Sequence, residues 1–372
     1  MSNNYGKGTS FEYDICKFFS KQDFFTRRSI PIKTIGKQDI TDIDVLGIKF
    51  TYPFEKQLII CDCKNKIRSK PYERIFWTKG LGTYVGANKE YIALPKVSSD
   101  IIAFAKKCEV RVISQSEMTQ FNDLSYGYFD YSYYSNFFAS IDPKSKEGRQ
   151  IDEYISILKR EYLSNDPYTG LNRALLILNK IQNLDIGHKA NQIIFAEAVS
   201  VVAYAILDIC RDVFGMNSVE REEHITDRLT YGSSDSAYIN SLIENITSYA
   251  NQVVMEKIPK TYVKNNLIDN MKIPAPHYSK NCIGLIERIY NNPDWYIDIL
   301  NNIDFILYEF VLKNAKFDNE KFAAYNKQHI VEEKLKACKN ILYFACSSSR
   351  IPLTTVWEQE EEFIPYHSEV KL

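Results

Sequence analysis

The sequence predicts two parts, an α/β unit over residues 1–115 with a mixed sheet flanked by helices, and an all-α remainder over residues 149–372. Three observations carry this. Up to Ile113, short β-branched and aromatic runs bounded by turn residues alternate with helical periods. From Arg149 onwards, apolar residues recur three and four apart in segment after segment. Between the two, residues 116–148 crowd Tyr126, Tyr128, Phe129, Tyr131, Tyr133 and Tyr134 together and then turn polar at Asp142-Pro143-Lys144-Ser145. That stretch reads as a junction whose rings pack between domains or across a dimer, with base stacking as the sharper alternative.

The first helix covers Phe11 to Phe19, with Thr9 or Ser10 as its N-cap and Phe11, Ile15, Phe18 and Phe19 on the core face. Glu12 sits beside that face, where an acid complements the helix dipole. Thr26 to Ile32 reads as a strand carrying Arg27 and Arg28, and Gly36 to Asp39 as a turn. Ile40 to Ile48 is a second strand interrupted by Asp42 and Asp44, and acids in a β-branched run need partners. A short connection at Tyr52 to Lys56 suits a hairpin to a third strand within Gln57 to Asn65. Pro71 opens a helix running to Val85, with Ile75, Phe76, Trp77, Leu81 and Tyr84 as packing positions. Glu90 to Leu94, Asp100 to Lys107 and Val110 to Ile113 read as strand, helix and strand. These last crossovers imply parallel pairing, so the sheet is mixed.

In the remainder, helices fit residues 151–158, 171–181, 191–213, 236–255, 282–290, 294–312 and 332–345. No repeat period holds and no second catalytic constellation is visible. This part is expected to bind a protein partner, dimerise or restrain the first.

The chain as a whole has a formal net charge of −1. Residues 1–115 hold 20 Lys and Arg against 12 Asp and Glu, a net of +8, and the rest of the chain balances this with −9. A basic unit on an acidic body points to a polyanionic partner for the first part. Eight scattered cysteines without a Cys-x-x-Cys pair argue against a structural zinc site and read as reduced and mostly buried. No signal peptide and no membrane span is expected, and a cytoplasmic location follows.

The chain's chemistry converges on Gln57-Leu58-Ile59-Ile60-Cys61-Asp62-Cys63-Lys64-Asn65. In an extended strand Leu58, Ile60, Asp62 and Lys64 share one face, which begins apolar and ends charged. By themselves Asp62 and Lys64 are what an ordinary solvated strand end carries. A neighbouring antiparallel strand would bring Asp44, or Asp42, beside Asp62, and two adjacent carboxylates call for a cation between them.

Residues 8 to 113 resemble the PD-(D/E)XK restriction-endonuclease-like nucleases, especially the Mrr-like branch. The resemblance lies in Gly8-Thr9-Ser10-Phe11-Glu12, in Thr41-Asp42-Ile43-Asp44-Val45-Leu46-Gly47 and in Ile59-Ile60-Cys61-Asp62-Cys63-Lys64-Asn65. The proline of the family's name is absent, and Asp62 stands where Mrr-like members more often carry Glu. The resemblance implies a restriction-endonuclease-like fold and hydrolysis of DNA phosphodiester bonds. It also implies Mg2+ or Mn2+ held by Asp44, Asp62 and the backbone carbonyl of Cys63, with help from Glu12. Lys64 would then orient the attacking water. Arg27, Arg28, Lys66, Arg68, Lys70 and Lys79 would contact phosphates, with double-stranded DNA as the expected partner. The fusion to a helical body suggests, by analogy of architecture, a prokaryotic defence effector. An inactive nucleic-acid-binding descendant and an RNA-directed nuclease are the alternatives.

Overall fold

The computed structural model describes residues 7–34, 38–64, 70–122, 142, 144–182, 188–234, 236–257, 273–311 and 317–355. Lys66, Arg68, part of the Gly36–Asp39 turn, the aromatic cluster at 126–138 and the acidic tail at 358–362 lie outside the described residues.

A five-stranded mixed sheet forms the N-terminal part, in the order β1 (Phe25–Lys33), β2 (Asp39–Thr51), β3 (Glu55–Cys63), β4 (Lys89–Leu94) and β5 (Val110–Ser114). β1, β2 and β3 are an antiparallel meander, and β3, β4 and β5 run parallel. The parallel half is joined by α2 (Pro71–Val85) and α3 (Ser99–Lys107), because parallel neighbours need a crossover. Helix α1 (Lys7–Ser20) begins one turn before the expected cap at Thr9 or Ser10, so Glu12 stands in its second turn.

Alternation along β1 shows how the sheet is covered. Thr26 and Arg28 meet Ser20 and Glu12 of α1. Phe25 and Arg27 face the other way and meet the helical part, where Phe25 lies edge-on to Tyr162 at 5.4 Å. Leu46, Ile48 and Phe50 of β2 and Leu58 and Ile60 of β3 extend that second face.

The helical part contains α4 (Gln115–Asn122), α5 (Lys146–Glu161), α6 (Pro167–Ile181), α7 (Lys189–Asp212), α8 (Ser218–Tyr231), α9 (Ser236–Lys257), α10 (Ser279–Asn291), α11 (Pro293–Tyr296), α12 (Ile299–Ile306), α13 (Asn319–Tyr325) and α14 (Val331–Ser349). The helix expected over 294–312 is divided into α11, α12 and a π-helical turn, Leu307–Val311. Sequence periodicity missed α8, a charged helix that buries only Ile225 and Leu229.

α7 is the centre of the body. It is long and apolar enough to cross a membrane by composition alone, contrary to the sequence expectation, but it lies wholly inside the fold. A helix apolar on all sides belongs in a core. Its polar residues are partnered there: Glu197 with Arg27, Ser200 with Asp304, and Asp208 with Lys56 and Arg211. One continuous apolar cluster runs from α1 and the sheet through α7 to α14.

Candidate active site

The β2–β3 ladder closes with the pair Val45 and Cys61. One residue further along each strand stands an acid, Asp44 and Asp62, continuing the rows of Leu46 and Ile60. Asp44 takes over from the ladder, its Oδ2 accepting the backbone N–H of Cys63 at 2.7 Å. The next residue, Lys64, donates its own N–H to the Ala93 carbonyl of β4 at 3.1 Å. The lysine is thus fixed where three strands meet, and its ammonium lies 2.9 Å from Asp44 and 3.2 Å from Asp62. The structure places Asp44, not Asp42, in this group. Asp42 is exposed and lies across from Pro31 on β1.

Arg74, from the start of α2, completes the group. Its Nε donates to Asp62 Oδ2 at 2.9 Å and its Nη2 donates to Oδ1, a two-pronged pairing. Sequence reasoning did not single out Arg74. A signal was present, since a cation near a helix N-terminus opposes the dipole and needs another reason to stand there.

Electrostatics mark the group as strained between burial and charge. Burial raises the Asp44 carboxyl, Lys64 pulls it back, and Asp62 beside it pushes it up again. Burial works against the charge of Lys64, but Asp62 and Asp44 more than offset it and hold the ammonium above the usual lysine range. Glu12 approaches from the α1 side of the sheet, where Arg28 Nε donates to its Oε2 at 3.2 Å. Burial lifts its carboxyl to about 7 despite Arg28, with Asp44 and Asp42 adding to the rise.

The residues fit a hard divalent cation of the Mg2+ kind. Asp44 and Asp62 supply two carboxylates held together by one ammonium, and Cys63 brings a backbone carbonyl on the same strand end. Mg2+ commonly binds through one or two carboxylates and keeps several waters. Among the described residues no three His, Cys, Asp or Glu side chains stand together as a metal cage, so Asp44 and Asp62 act as a pair. The Cys61 and Cys63 side chains are buried, 3.9 Å apart, and burial pushes both thiols up, which makes them core groups rather than reactive ones.

The expected phosphate contacts divide. Arg27 is not on a surface at all: it is 5% exposed and clamped between Glu197 at 3.0 Å and Asp304 at 2.5 Å. A strand residue facing the helical body cannot reach a polyanion in solvent. Arg28 is held by Glu12 and lies over the Tyr13 ring. Lys79 is half-exposed between Glu90 and Glu109, and Lys70 is exposed beside Glu73. Trp77, Phe76 and Tyr84, expected as packing positions of α2, are exposed instead, and Ile75, Thr78 and Gly82 form its buried side.

No protein-family model, no curated protein and no solved structure matches this chain.

Proposed function

We propose that the chain is a metal-dependent nuclease of the PD-(D/E)XK kind, hydrolysing phosphodiester bonds of nucleic acid, with DNA as the first substrate to test. The observation that carries this reading is Lys64, whose one ammonium touches the carboxylates of Asp44 and Asp62 at the shared end of two neighbouring strands. Ordinary surface ion pairs join one acid to one base. Two acids converging on a fixed lysine, backed by a strand ladder, is the pattern of a site that handles a cation and a phosphate.

Asp44, Asp62 and the Cys63 carbonyl would hold Mg2+ or Mn2+, which supplies charge neutralisation at the scissile phosphate and a more acidic water. Lys64 would orient that water by hydrogen bonding and stabilise negative charge developing on the phosphate oxygens. Arg74 would exchange Asp62 for a phosphate oxygen, a bidentate contact for which a guanidinium is suited. Glu12, near 7, stands close enough to feel Asp44 and would accept or return a proton at the rim.

The test is digestion of supercoiled plasmid, linear duplex, single-stranded DNA and tRNA with Mg2+ or Mn2+. Lys64→Ala and Asp62→Asn should lose at least about a hundredfold in rate, the scale of one electrostatic group at a reacting phosphate. Cleavage that survives both substitutions would reject the reading. One observation favours a second reading, an inactive nucleic-acid-binding protein: Lys64 and Arg74 already neutralise the two acids. Binding without cleavage under every metal would select it.

A further inference from the structure

We propose that the outer face of α2 is a stacking platform for unpaired nucleic-acid bases, so that the site beside it works on single-stranded segments. The proposal rests on the nuclease reading for the identity of the polymer, and the experiment below separates the two.

Four large rings of α2 are substantially exposed, Tyr72 44%, Phe76 63%, Trp77 44% and Tyr84 68%, with Tyr72 and Phe76 also meeting the Phe104 ring of α3 edge-on at 5.0 and 5.3 Å. At 3.6 residues per turn they fall within an arc of about 140°, with Lys79 and Lys70 at its two edges. Isolated exposed rings are common, but four on one face of one helix make a contiguous patch of the kind that marks a binding surface.

Several features point to bases rather than to a protein. The apolar part of this face is aromatic, because the aliphatic residues of α2 turn inward: Ile75 is buried, and Leu81 and Val85 pack on the core; Glu73 shares the face, exposed and neutralised by Lys70. A protein-docking groove normally offers aliphatic anchors as well. The face is continuous with the candidate site, since Arg74 of the same helix grips Asp62. It lies in the basic part of the chain, where 20 Lys and Arg oppose 12 Asp and Glu. The Lys70–Glu73 and Lys79–Glu109 pairs are solvent-exposed and exchange readily for phosphate, while Lys79 also holds the buried Glu90.

Gly80 adds an independent observation. A Cβ built on it meets nothing within 4 Å. It stands four residues after Phe76 and four before Tyr84, about 6 Å of helix axis from each. Glycine inside a helix costs about 1 kcal/mol relative to alanine, and no packing in this structure requires it. It leaves a bare floor between two rings, wide enough for a flat base.

Unpaired bases are the fitting ligand because a duplex hides its ring faces in its own stack, whereas a single strand presents them. From Arg74 to Tyr84 the helix rises about 15 Å, room for roughly four nucleotides at 3.4 Å each.

The experiment is fluorescence anisotropy in EDTA with labelled oligo-dT, oligo-rU and a blunt duplex of equal length, alongside Trp fluorescence. The whole chain should bind at least one single strand more tightly than the duplex, and its Trp emission should be quenched on binding, a change that Trp77→Phe abolishes. Phe76→Ala and Tyr84→Ala should each weaken binding at least about fivefold, the effect of losing one stacked base. Gly80→Leu keeps every ring and should also weaken binding without lowering the melting temperature. The dT and rU arms show which sugar is preferred. Duplex bound as tightly as both single strands, or single-strand affinity indifferent to the rings and to Gly80, would overturn the platform. Ring-dependent single-strand binding without metal-dependent cutting would sustain the platform and sink the nuclease reading. Ring-independent cutting of duplex would do the reverse.

Discussion

Burial lifts the carboxyl of Glu12, on α1, from an ordinary 4.5 to about 7. The sign of its effect on stability follows. Between pH 4.5 and 7 the folded chain holds a proton that the unfolded chain has released, so this group's contribution is full below 4.5 and is lost as pH rises through 7. A shift of this size corresponds to about 3 kcal/mol at most. Glu12→Gln should flatten the pH dependence of the urea midpoint across that window and stabilise the chain at pH 8. The gain should be about 1–2 kcal/mol, since an amide cannot neutralise Arg28. A variant with the parent's slope would show that Glu12 does not carry it. Arg74 makes the second prediction at this scale. It occupies both oxygens of Asp62, so it competes with any cation there. Arg74→Met should tighten Mn2+ binding in calorimetry by about tenfold, and unchanged affinity would place the metal elsewhere.

Two glycines of α2 make opposite predictions from the same substitution. A Cβ on Gly82 would lie 2.3 Å from Glu90 Cγ, inside the packing of α2 on β4. Glu90 is buried and paired with Lys79, so it cannot step aside freely. Gly82→Ala should therefore destabilise by about 1–3 kcal/mol, the usual cost of overpacking. Gly80→Ala meets open space and should stabilise by about 0.5–1 kcal/mol through helix propensity. Thermal melts of the two single variants decide, and shifts of the same sign would mean that α2 does not pack as described. The existence of α2 was legible in its Pro71 start and helical length. Its orientation was not, because apolar residues, aromatic on one side and aliphatic on the other, occur all round the helix and only β4 and α3 select the inward side.

Across the whole molecule, the sheet and the helical body share one core and one buried charge cluster. Arg27 joins β1 to Glu197 of α7 and Asp304 of α12, and Ser200 supports Asp304 at 2.9 Å. The two carboxylates raise the guanidinium well above its ordinary range, so it stays charged at any working pH. Arg27→Met would leave two buried acids without a counter-charge and should cost about 3–5 kcal/mol. Adding Glu197→Gln and Asp304→Asn should recover most of it, which denaturant titration would show. If the single variant is neutral, the cluster does not join the two parts. Lys56 repeats the arrangement at the β2–β3 hairpin, bonded to Tyr204 and Asp208 at 3.0 and 2.9 Å.

The residues alone determined the succession of elements in the first part, because alternation and helical period are local properties that each segment displays by itself. They also brought Asp42, Asp44, Asp62 and Lys64 forward as candidates, since an acid that interrupts an apolar strand has no local reason to be there. Tertiary structure decided the rest. The β2–β3 register chose Asp44 over Asp42, because pairing Val45 with Cys61 brings only one of them to Asp62. The approach of α2 added Arg74, a contact twelve residues away in the chain. Arg27 was drawn inside by Glu197 and Asp304, 170 and 277 residues distant. A charge's destination depends on which partners desolvation leaves within reach, and at such separations only the folded chain specifies them.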